Sequence, residues 1–292
     1  MGWAIMMASL LYILLAQRSL VQTQTITLIG AQPVVEGSAA TSPFQAAPIF
    51  GFPYTENSRF FILRPDQQGL TEIKKDGSFL WSIEFGTPIT ADSISASLSA
   101  WGLLDGSIKI LDEVGRIIAA LNPSSEVASK YGCVYGIAVS SNGAIVAALY
   151  GIDPQYFLIY AKNGDGYRLV SSRKLDKQVR NAQELAFSTD GEFAIGRTAD
   201  GLAVYDVAKK QSKIVHPADF AGEAELQVKP IGKDGFVFLL AKGDKRFSGL
   251  IRKGALEALF PVDGAVASIR IEESGFLLAS GNWAYRYKVS AR

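Results

Sequence analysis

An apolar segment, a turn ending in glycine and a second apolar segment recur along this 292-residue chain from residue 50 onward. The clearest copies place the turn at Asn142-Gly143, Asp190-Gly191, Asp234-Gly235 and Ser274-Gly275. Their glycines are 48, 44 and 40 residues apart. Asn-Gly and Asp-Gly supply the positive φ values that tight turns between antiparallel strands need. The pattern therefore predicts β-hairpins that repeat along the chain at nearly regular intervals.

The strands of these hairpins are predicted to lie between neighbouring sheets. Phe236–Leu240 is apolar on both faces, as expected for a strand covered on two sides, whereas Tyr285–Val289 alternates like a half-buried strand. A single copy cannot bury its own apolar faces, so successive copies must stack. No sustained helical periodicity follows Gln22. We expect an all-β fold built from one repeated unit.

Six repeat units can be delimited, with seven as the alternative. The units span residues 44–86, 87–123, 131–175, 182–217, 225–261 and 262–290. The last unit contains only three predicted strands. Either Thr25–Ile29 or Pro33–Glu36 would supply the fourth strand and so close a ring, which would remove an exposed sheet edge.

These units resemble blades of the WD40 and PQQ-like β-propeller superfamily. Val204–Asp206 and Ile110–Asp112 stand where the third strand of a WD40 blade ends in Trp-Asp. The resemblance implies a single β-propeller of about six four-stranded blades, with seven as the alternative, and a tendency to bind proteins. The Gly-His pair and a true Trp-Asp of WD40 blades are missing from the sequence. The Trp-docking motif of PQQ-binding blades is also missing, which argues against a bound quinone cofactor.

The N-terminus carries an apolar segment without charges, Trp3–Ala16. Its fourteen residues suit the apolar region of a signal peptide and fall short of the ~20 that span a bilayer comfortably. We therefore expect a signal peptide or membrane anchor over residues 1–21, a linker with the ring-closing strand over 22–43, and the propeller domain over 44–292. This predicts a periplasmic or cell-envelope location with membrane attachment. The alternative is a cytoplasmic protein whose first segment is buried in the fold.

The composition excludes several classes of function. Lys and Arg number 29 and Asp and Glu number 28, so the basic excess expected of a nucleic-acid-binding protein is missing. A single cysteine, Cys133, cannot form an intrachain disulfide, and with the single histidine, His216, it cannot build an ordinary zinc site. Nucleophile-elbow, Walker, dinucleotide-binding and zinc-protease motifs are also missing from the sequence. We expect no cofactor and no metal.

Two functions remain after these exclusions. The first is a non-catalytic protein-interaction or scaffolding module, whose partner the sequence does not identify. Loops that precede the first strand of a blade and loops that join its second and third strands would form one rim. The candidate rim residues are Tyr131, Asp153, Gln155, Arg180, Asn181, Asp219, Lys242 and Arg246.

The alternative is a carboxylate-based enzyme or a small-ligand binder at the propeller channel. It would draw on acidic residues at or near the loops between strands. These residues are Asp92, Asp105, Asp153, Asp200, Asp244 and Asp263. Aspartate in a turn commonly bonds its own backbone, which would give these residues a purely structural role.

Overall fold

A computed structural model describes residues 26–33, 51–217, 224–262, 266–273, 275–280 and 283–289. Within these ranges the chain forms strands and a single turn of 3-10 helix at Pro123–Ser125. The search for a long apolar helix that could span a membrane found none in this part of the chain. The apolar N-terminal segment predicted as a signal or anchor lies outside it.

The described residues contain 24 strands. In chain order they are β1 (Ile26–Pro33), β2 (Phe52–Glu56), β3 (Arg59–Leu63), β4 (Gly69–Ile73), β5 (Phe79–Glu84), β6 (Ile89–Ile94), β7 (Leu98–Leu103), β8 (Ile108–Asp112), β9 (Ile117–Leu121), β10 (Tyr131–Val139), β11 (Ile145–Ile152), β12 (Tyr156–Asn163), β13 (Gly166–Lys174), β14 (Leu185–Phe187), β15 (Phe193–Thr198), β16 (Gly201–Asp206), β17 (Gln211–Val215), β18 (Glu225–Ile231), β19 (Gly235–Lys242), β20 (Lys245–Arg252), β21 (Ala255–Val262), β22 (Val266–Glu272), β23 (Gly275–Ser280) and β24 (Trp283–Val289).

The strands pair into six four-stranded antiparallel sheets. The first five sheets take four consecutive strands each, from β2–β5 to β18–β21, and each follows chain order. The sixth sheet has the order β1-β24-β23-β22. Each sheet lies within one of the six predicted repeat units, apart from β1 and the last residue of β21, Val262. The all-β, four-stranded part of the prediction is therefore confirmed.

The chain divides into two compact units. The central unit is Glu36–Glu223 and holds the first four sheets, and the terminal unit is Met1–Val35 with Ala224–Arg292 and holds the last two. A single domain over 44–292 stays a prediction.

Turns inside the sheets are closed by a recurring hydrogen bond between an aspartate or asparagine side chain and the backbone. The Oδ1 atoms of Asp76, Asp105, Asn142 and Asp190 each accept a hydrogen bond from the backbone N–H two residues later, at 2.9–3.0 Å. The following glycine then takes a positive φ, 67° at Gly143 for example. In the fifth sheet, however, the positive φ belongs to Gly232, and Gly235 already begins β19. Of the acidic residues listed as candidates in the sequence analysis, Asp105 is held in this way, as the structural alternative predicted for it.

Aspartates that end the third strands of two sheets have the same kind of role. Asp112 ends β8, and its Oδ1 accepts the backbone N–H groups of Val114 and Arg116 at 3.1 and 2.9 Å. Desolvation opposes ionisation there, but these bonds and the Arg116 side chain hold the pKa of Asp112 below its ordinary value. Asp206 ends β16 and accepts the backbone N–H of Lys209 at 3.0 Å. The resemblance to Trp-Asp positions therefore reflects turn chemistry.

Consecutive sheets of the central unit stack through apolar side chains. Phe61 of the first sheet meets Trp101 of the second, with ring centroids 5.8 Å apart. A second cluster packs the second sheet on the third, and a third cluster packs the third on the fourth. In the terminal unit, one cluster joins the fifth and sixth sheets. Each stacked face buries surface that a lone four-stranded sheet would expose to water.

Polar bonds between the first strands reinforce this stacking. Thr90 Oγ1, on β6, donates to the Val134 carbonyl of β10 at 2.6 Å. Ser93 Oγ accepts the Val139 N–H at 3.0 Å. The Gln183 N–H, just before β14, donates to the Tyr135 carbonyl at 2.6 Å. Neighbouring first strands of the central unit therefore hold fixed positions relative to one another.

The sixth sheet takes its fourth strand from the N-terminal part of the chain. β1 pairs antiparallel with β24, from Ile26 opposite Val289 to Pro33 opposite Trp283. The observed strand contains most of one predicted segment, Thr25–Ile29, and extends four residues beyond it. It supplies the strand that the last repeat lacks.

One ion pair ties the first sheet to the second. Arg59 binds Glu72 through two hydrogen bonds of 2.8 and 2.7 Å, and the exposed fractions of the two side chains are 10% and 6%. The same guanidinium donates to the carbonyls of Ser95 and Leu98, at 3.1 and 3.3 Å. Removal of the carboxylate would leave a buried cation without its counter-charge.

We therefore expect Glu72→Ala to lower the free energy of unfolding by about 3–5 kcal/mol. The matched control is Glu84→Ala, because Glu84 also pairs with an arginine, Arg64, at 3.0 Å, but 62% of its side chain is exposed. An exposed pair contributes about 1 kcal/mol or less. Urea denaturation followed by tryptophan fluorescence measures both. Equal losses in the two variants would show that burial of the Arg59–Glu72 pair has no special importance.

Candidate functional site

Three loop segments of the central unit lie together at one edge of the third sheet. They are residues 122–131, which lead into β10, residues 152–155 between β11 and β12, and residues 175–184, which lead into β14. The Lys130 N–H donates to the Asp153 carbonyl at 3.0 Å, and the Leu175 N–H donates to the Gln155 carbonyl at 2.9 Å. We name these three segments the loop platform.

Two glutamines lock the platform through reciprocal bonds. Gln155 is buried; its Nε2 donates to the Val179 carbonyl at 2.9 Å, and its Oε1 accepts the Val179 N–H at 3.0 Å. Gln178 belongs to the other segment and makes two bonds back to Asp153: its Oε1 accepts the Asp153 N–H, and its Nε2 donates to Asp153 Oδ1, both at 3.0 Å. The segments 152–155 and 175–184 are therefore fixed to each other by paired side-chain bonds.

The first platform segment is fixed by a serine and presents a cation on an aromatic ring. Ser129 Oγ lies 2.8 Å from the Ile152 carbonyl and 2.9 Å from that of Pro154. Next to it, the Lys130 Nζ lies 5.0 Å from the centroid of the Tyr131 ring, in a cation–π arrangement. Tyr131 is 56% exposed. This ring is the largest exposed apolar group of the platform.

Charged groups support the other side of the platform. Lys177 pairs with Asp200, with Nζ and Oδ1 3.3 Å apart, and its backbone N–H lies 3.2 Å from Asp200 Oδ2. The Nδ1 atom of His216 lies 2.8 Å from the Asp200 carbonyl. Below the surface, the buried Arg197 approaches Gln183 Oε1 at 3.4 Å. The single histidine is thus a loop residue in contact with a backbone carbonyl.

Five of the eight predicted rim residues lie on the loop platform. Tyr131, Asp153, Arg180 and Asn181 are exposed there. Gln155 differs, because its buried amide holds the loops together and presents no surface to a partner.

The other three predicted residues lie elsewhere. Lys242 and Arg246 belong to the β19–β20 hairpin of the terminal unit, where Arg246 donates to the carbonyls of Gly243 and Lys245. Asp219 lies outside the described residues. No finding tests whether any of the eight binds a partner.

The sequence analysis did not select several residues that shape the platform. Gln178, Ser129 and Lys130 sit one to two residues from selected positions, but nothing in their local pattern marks them. Their roles arise from the approach of loops that are about 25 residues apart in the chain.

Acidic side chains also gather along the first strands of the central unit. Desolvation by the surrounding protein, together with the charges of Glu56 and Glu184, raises the pKa of Asp92 to about 6. Desolvation also raises the pKa of Tyr54, whose buried hydroxyl has no hydrogen-bond partner among the residues that the structure describes. The Asp92 side chain nevertheless keeps contact with water. Water at the exposed part of this side chain lowers the energetic cost of ionising Asp92.

These acids do not form a metal site. A group of three or more histidine, cysteine or carboxylate side chains placed to hold a metal ion is not found among the described residues. Cys133 is a free, buried thiol on β10, and desolvation raises its pKa. A thiol of this kind is a weak nucleophile at neutral pH. The carboxylate-based enzyme or ligand binder stays a prediction.

The two glutamines give a matched test of the platform. Gln155→Leu would leave the Val179 N–H and the carbonyls of Val179 and Gly151 without the hydrogen bonds that Gln155 forms with them, so we expect a loss of about 2–4 kcal/mol in the free energy of unfolding. Gln178→Leu removes bonds that water can replace, and we expect a loss of about 1 kcal/mol or less. Thermal and urea unfolding of both variants measure the difference. A Gln178 variant as unstable as the Gln155 variant would contradict the assigned roles.

Comparisons with known proteins agree with this architecture. A family described as "beta-propeller protein" matches residues 32–254, about three quarters of the chain. An uncharacterized protein of Treponema pallidum (strain Nichols) is 26% identical over 165 residues, which cover 56% of this chain and 43% of that protein. The match thus spans less than half of that relative's length. The crystal structure of the computationally designed Ika8 protein superposes with a TM-score of 0.56 at 13% identity, covering 82% of this chain and 70% of that one.

At this identity the similarity to Ika8 shows the fold alone. The family match covers more than half of the chain and includes the whole central unit with its loop platform. Four-stranded antiparallel sheets, of which the described residues contain six, are the structure that such a family predicts. The chain therefore belongs to a β-propeller family.

Proposed function

We propose that this protein is a non-catalytic interaction module that binds a protein partner through the loop platform. The observation that carries this proposal is the exposed Tyr131 ring on loops held by the reciprocal bonds of Gln155 and Gln178. Tyrosine and arginine are frequent in the residues that dominate binding energy. A rigid loop loses little conformational entropy on binding, which favours affinity.

The chemistry of the platform suits a partner with a mixed polar and apolar surface. Tyr131 and Lys130 offer one apolar face and one cation, and the exposed Arg180 offers a second cation. Asp153 and Asp176 offer exposed carboxylates on the same segments. Such a balance favours a folded protein surface over a strongly charged polymer.

A closed ring would give this platform a stable frame. In the proposed arrangement the six sheets are the six blades, and β1 joins the two ends of the chain by completing the sixth blade. The pairing of β1 with β24 supports this, because it places an N-terminal strand beside the last strand of the chain. Closure would leave no unpaired blade face.

The proposed location is the cell envelope, with the chain attached through its apolar N-terminal segment. The support is the uncharged stretch Trp3–Ala16, followed by a segment rich in Gln, Thr, Ser, Ala and Pro. A scaffold tethered in this way would hold its partner close to the membrane, which raises their effective concentration.

Affinity purification after crosslinking of membranes tests the interaction. We expect the wild-type chain to recover at least one partner reproducibly, and Tyr131→Ala/Arg180→Ala to recover it at least tenfold less, because each residue presents an exposed side chain on the platform. The control is Ile271→Ala, which removes a partly exposed apolar side chain in the terminal unit. Equal recovery by all three proteins would contradict the proposed site.

Fractionation tests the location separately. A C-terminally tagged full chain should sediment with membranes and resist carbonate extraction if residues 1–21 remain as an anchor, or appear in the periplasmic fraction if they are removed. The same chain without residues 1–21 should stay in the cytoplasm. A full chain found wholly in the cytoplasm would support the cytoplasmic alternative.

A further inference from the structure

The outermost strands of the first two sheets, β5 and β9, differ from those of the other sheets of the central unit. Each is the last strand of its sheet, so among the described residues one row of its N–H and C=O groups has no strand beside it. Native proteins normally protect such edges with charged residues or proline. β13 carries two arginines and a lysine, and β17 carries a lysine. β9 reads Ile-Ile-Ala-Ala-Leu without any charge, and β5 has one charge, at its last residue.

A β-bulge turns additional apolar side chains outward on both strands. Leu80 has no residue opposite it, because Trp81 pairs with Glu72 and Phe79 pairs with Ile73. Ile118 is skipped in the same way on β9. In the third and fifth sheets the corresponding bulged residues are Val170 and Glu257, which are only partly exposed. The bulge recurs, but only in the first two sheets does it present an exposed apolar pair.

β5 contacts the turn that leads into β9. The Trp81 Nε1–H of β5 donates to the Glu113 carbonyl, in the turn before β9, at 3.2 Å. Gly115 in the same turn lies so close to the Trp81 ring that a Cβ atom there would be only 2.4 Å from it. We name Phe79, Leu80, Val114, Ile117 and Ile118 the outer-edge patch; all five are exposed.

The size of the patch limits its occupant. Its five residues are 39–61% exposed and lie on two short strands and one turn. A stable complex of two folded proteins needs about 800 Å² per partner. If a second copy of this chain bound here through the same strand, two bulged strands would have to align. A straight strand from another protein would have to accommodate only the bulge of β9. A short extended strand, whose main-chain hydrogen bonds add to the side-chain contacts, fits these limits better.

We propose that the outer-edge patch binds an extended segment of another protein as an added β-strand on β9. The segment is uncharged, because β9 offers no charge to pair with, and it has apolar residues at alternate positions that cover Ile117 and Ile118. This site is separate from the loop platform, so one protein could hold two partners.

The probe is a fluorescently labelled seven-residue peptide of alternating threonine and valine, measured by fluorescence anisotropy with the full chain. We expect saturable binding, at least tenfold weaker with Ile118→Lys. The control variant is Leu104→Lys, which places the same charge on an exposed leucine outside the patch and should bind as the wild type does. Circular dichroism establishes that all three proteins are folded.

A second peptide separates strand addition from simple apolar adsorption. It has the same side chains, but alternate backbone amides along one edge are N-methylated, which removes the donors that a β-ladder requires. We expect it to bind the wild-type chain at least tenfold more weakly, a result that does not depend on any variant folding.

Three results would overturn the proposal. They are the absence of saturable binding, equal binding of the two peptides, and equal binding by Ile118→Lys and the wild type. Sedimentation velocity adds a fourth: self-association of the wild type that Ile118→Lys abolishes would assign the patch to contact between copies of this chain.

Discussion

The stacking of sheets that are apolar on both faces is the constraint on which the rest of this structure depends. In β11 and β19 the central residues are buried on alternate sides without interruption, so neither strand could face water on either side. A four-stranded sheet of this kind gains its stability only against neighbours. Polar groups also link the stacked sheets. Thr90 and Ser93 form hydrogen bonds between the second and third sheets, and Arg59, which pairs with Glu72, links the first sheet to the second. The loop platform takes its rigidity from the same frame, because its segments join strands whose positions the stack has fixed.

The sequence allowed the repeat units to be delimited because their signals are local. An aspartate or asparagine followed by glycine closes a turn through its own backbone, as Asp190 and Asn142 do. Strands without a polar face, such as Phe236–Leu240, indicate burial on both sides. Because the last unit lacks a fourth strand, a segment within residues 25–36 was predicted to supply it, and β1 lies there. The strand count of one repeat therefore predicted a pairing between residues that are 250 to 263 positions apart.

The functional residues were less predictable, because their roles depend on loops that meet only in the folded chain. Gln155 has the composition of an exposed loop residue, yet its amide is buried against Val179, 24 residues later. The bulges at Leu80 and Ile118 leave no mark in the sequence, so apolar residues that look like core are exposed instead. Asp92 had an ordinary position near a loop, whereas in the folded chain desolvation, together with the charges of Glu56 and Glu184, raises the pKa of its carboxyl. Propensity and turn chemistry describe neighbours in the chain, whereas these effects arise between distant segments.

The central claim is that each sheet is stable only when it is complete and stacked, with β1 completing the sixth. Hydrogen–deuterium exchange by mass spectrometry, comparing the full chain with a chain that lacks residues 1–33, tests this claim most directly. The account predicts much faster exchange of the backbone amides of Trp283–Val289, which lose their partner strand, and faster exchange in Gly275–Ser280 beside them. The third sheet, Tyr131–Lys174, should change far less. Unchanged protection of Trp283–Val289 in the shortened chain would contradict the account.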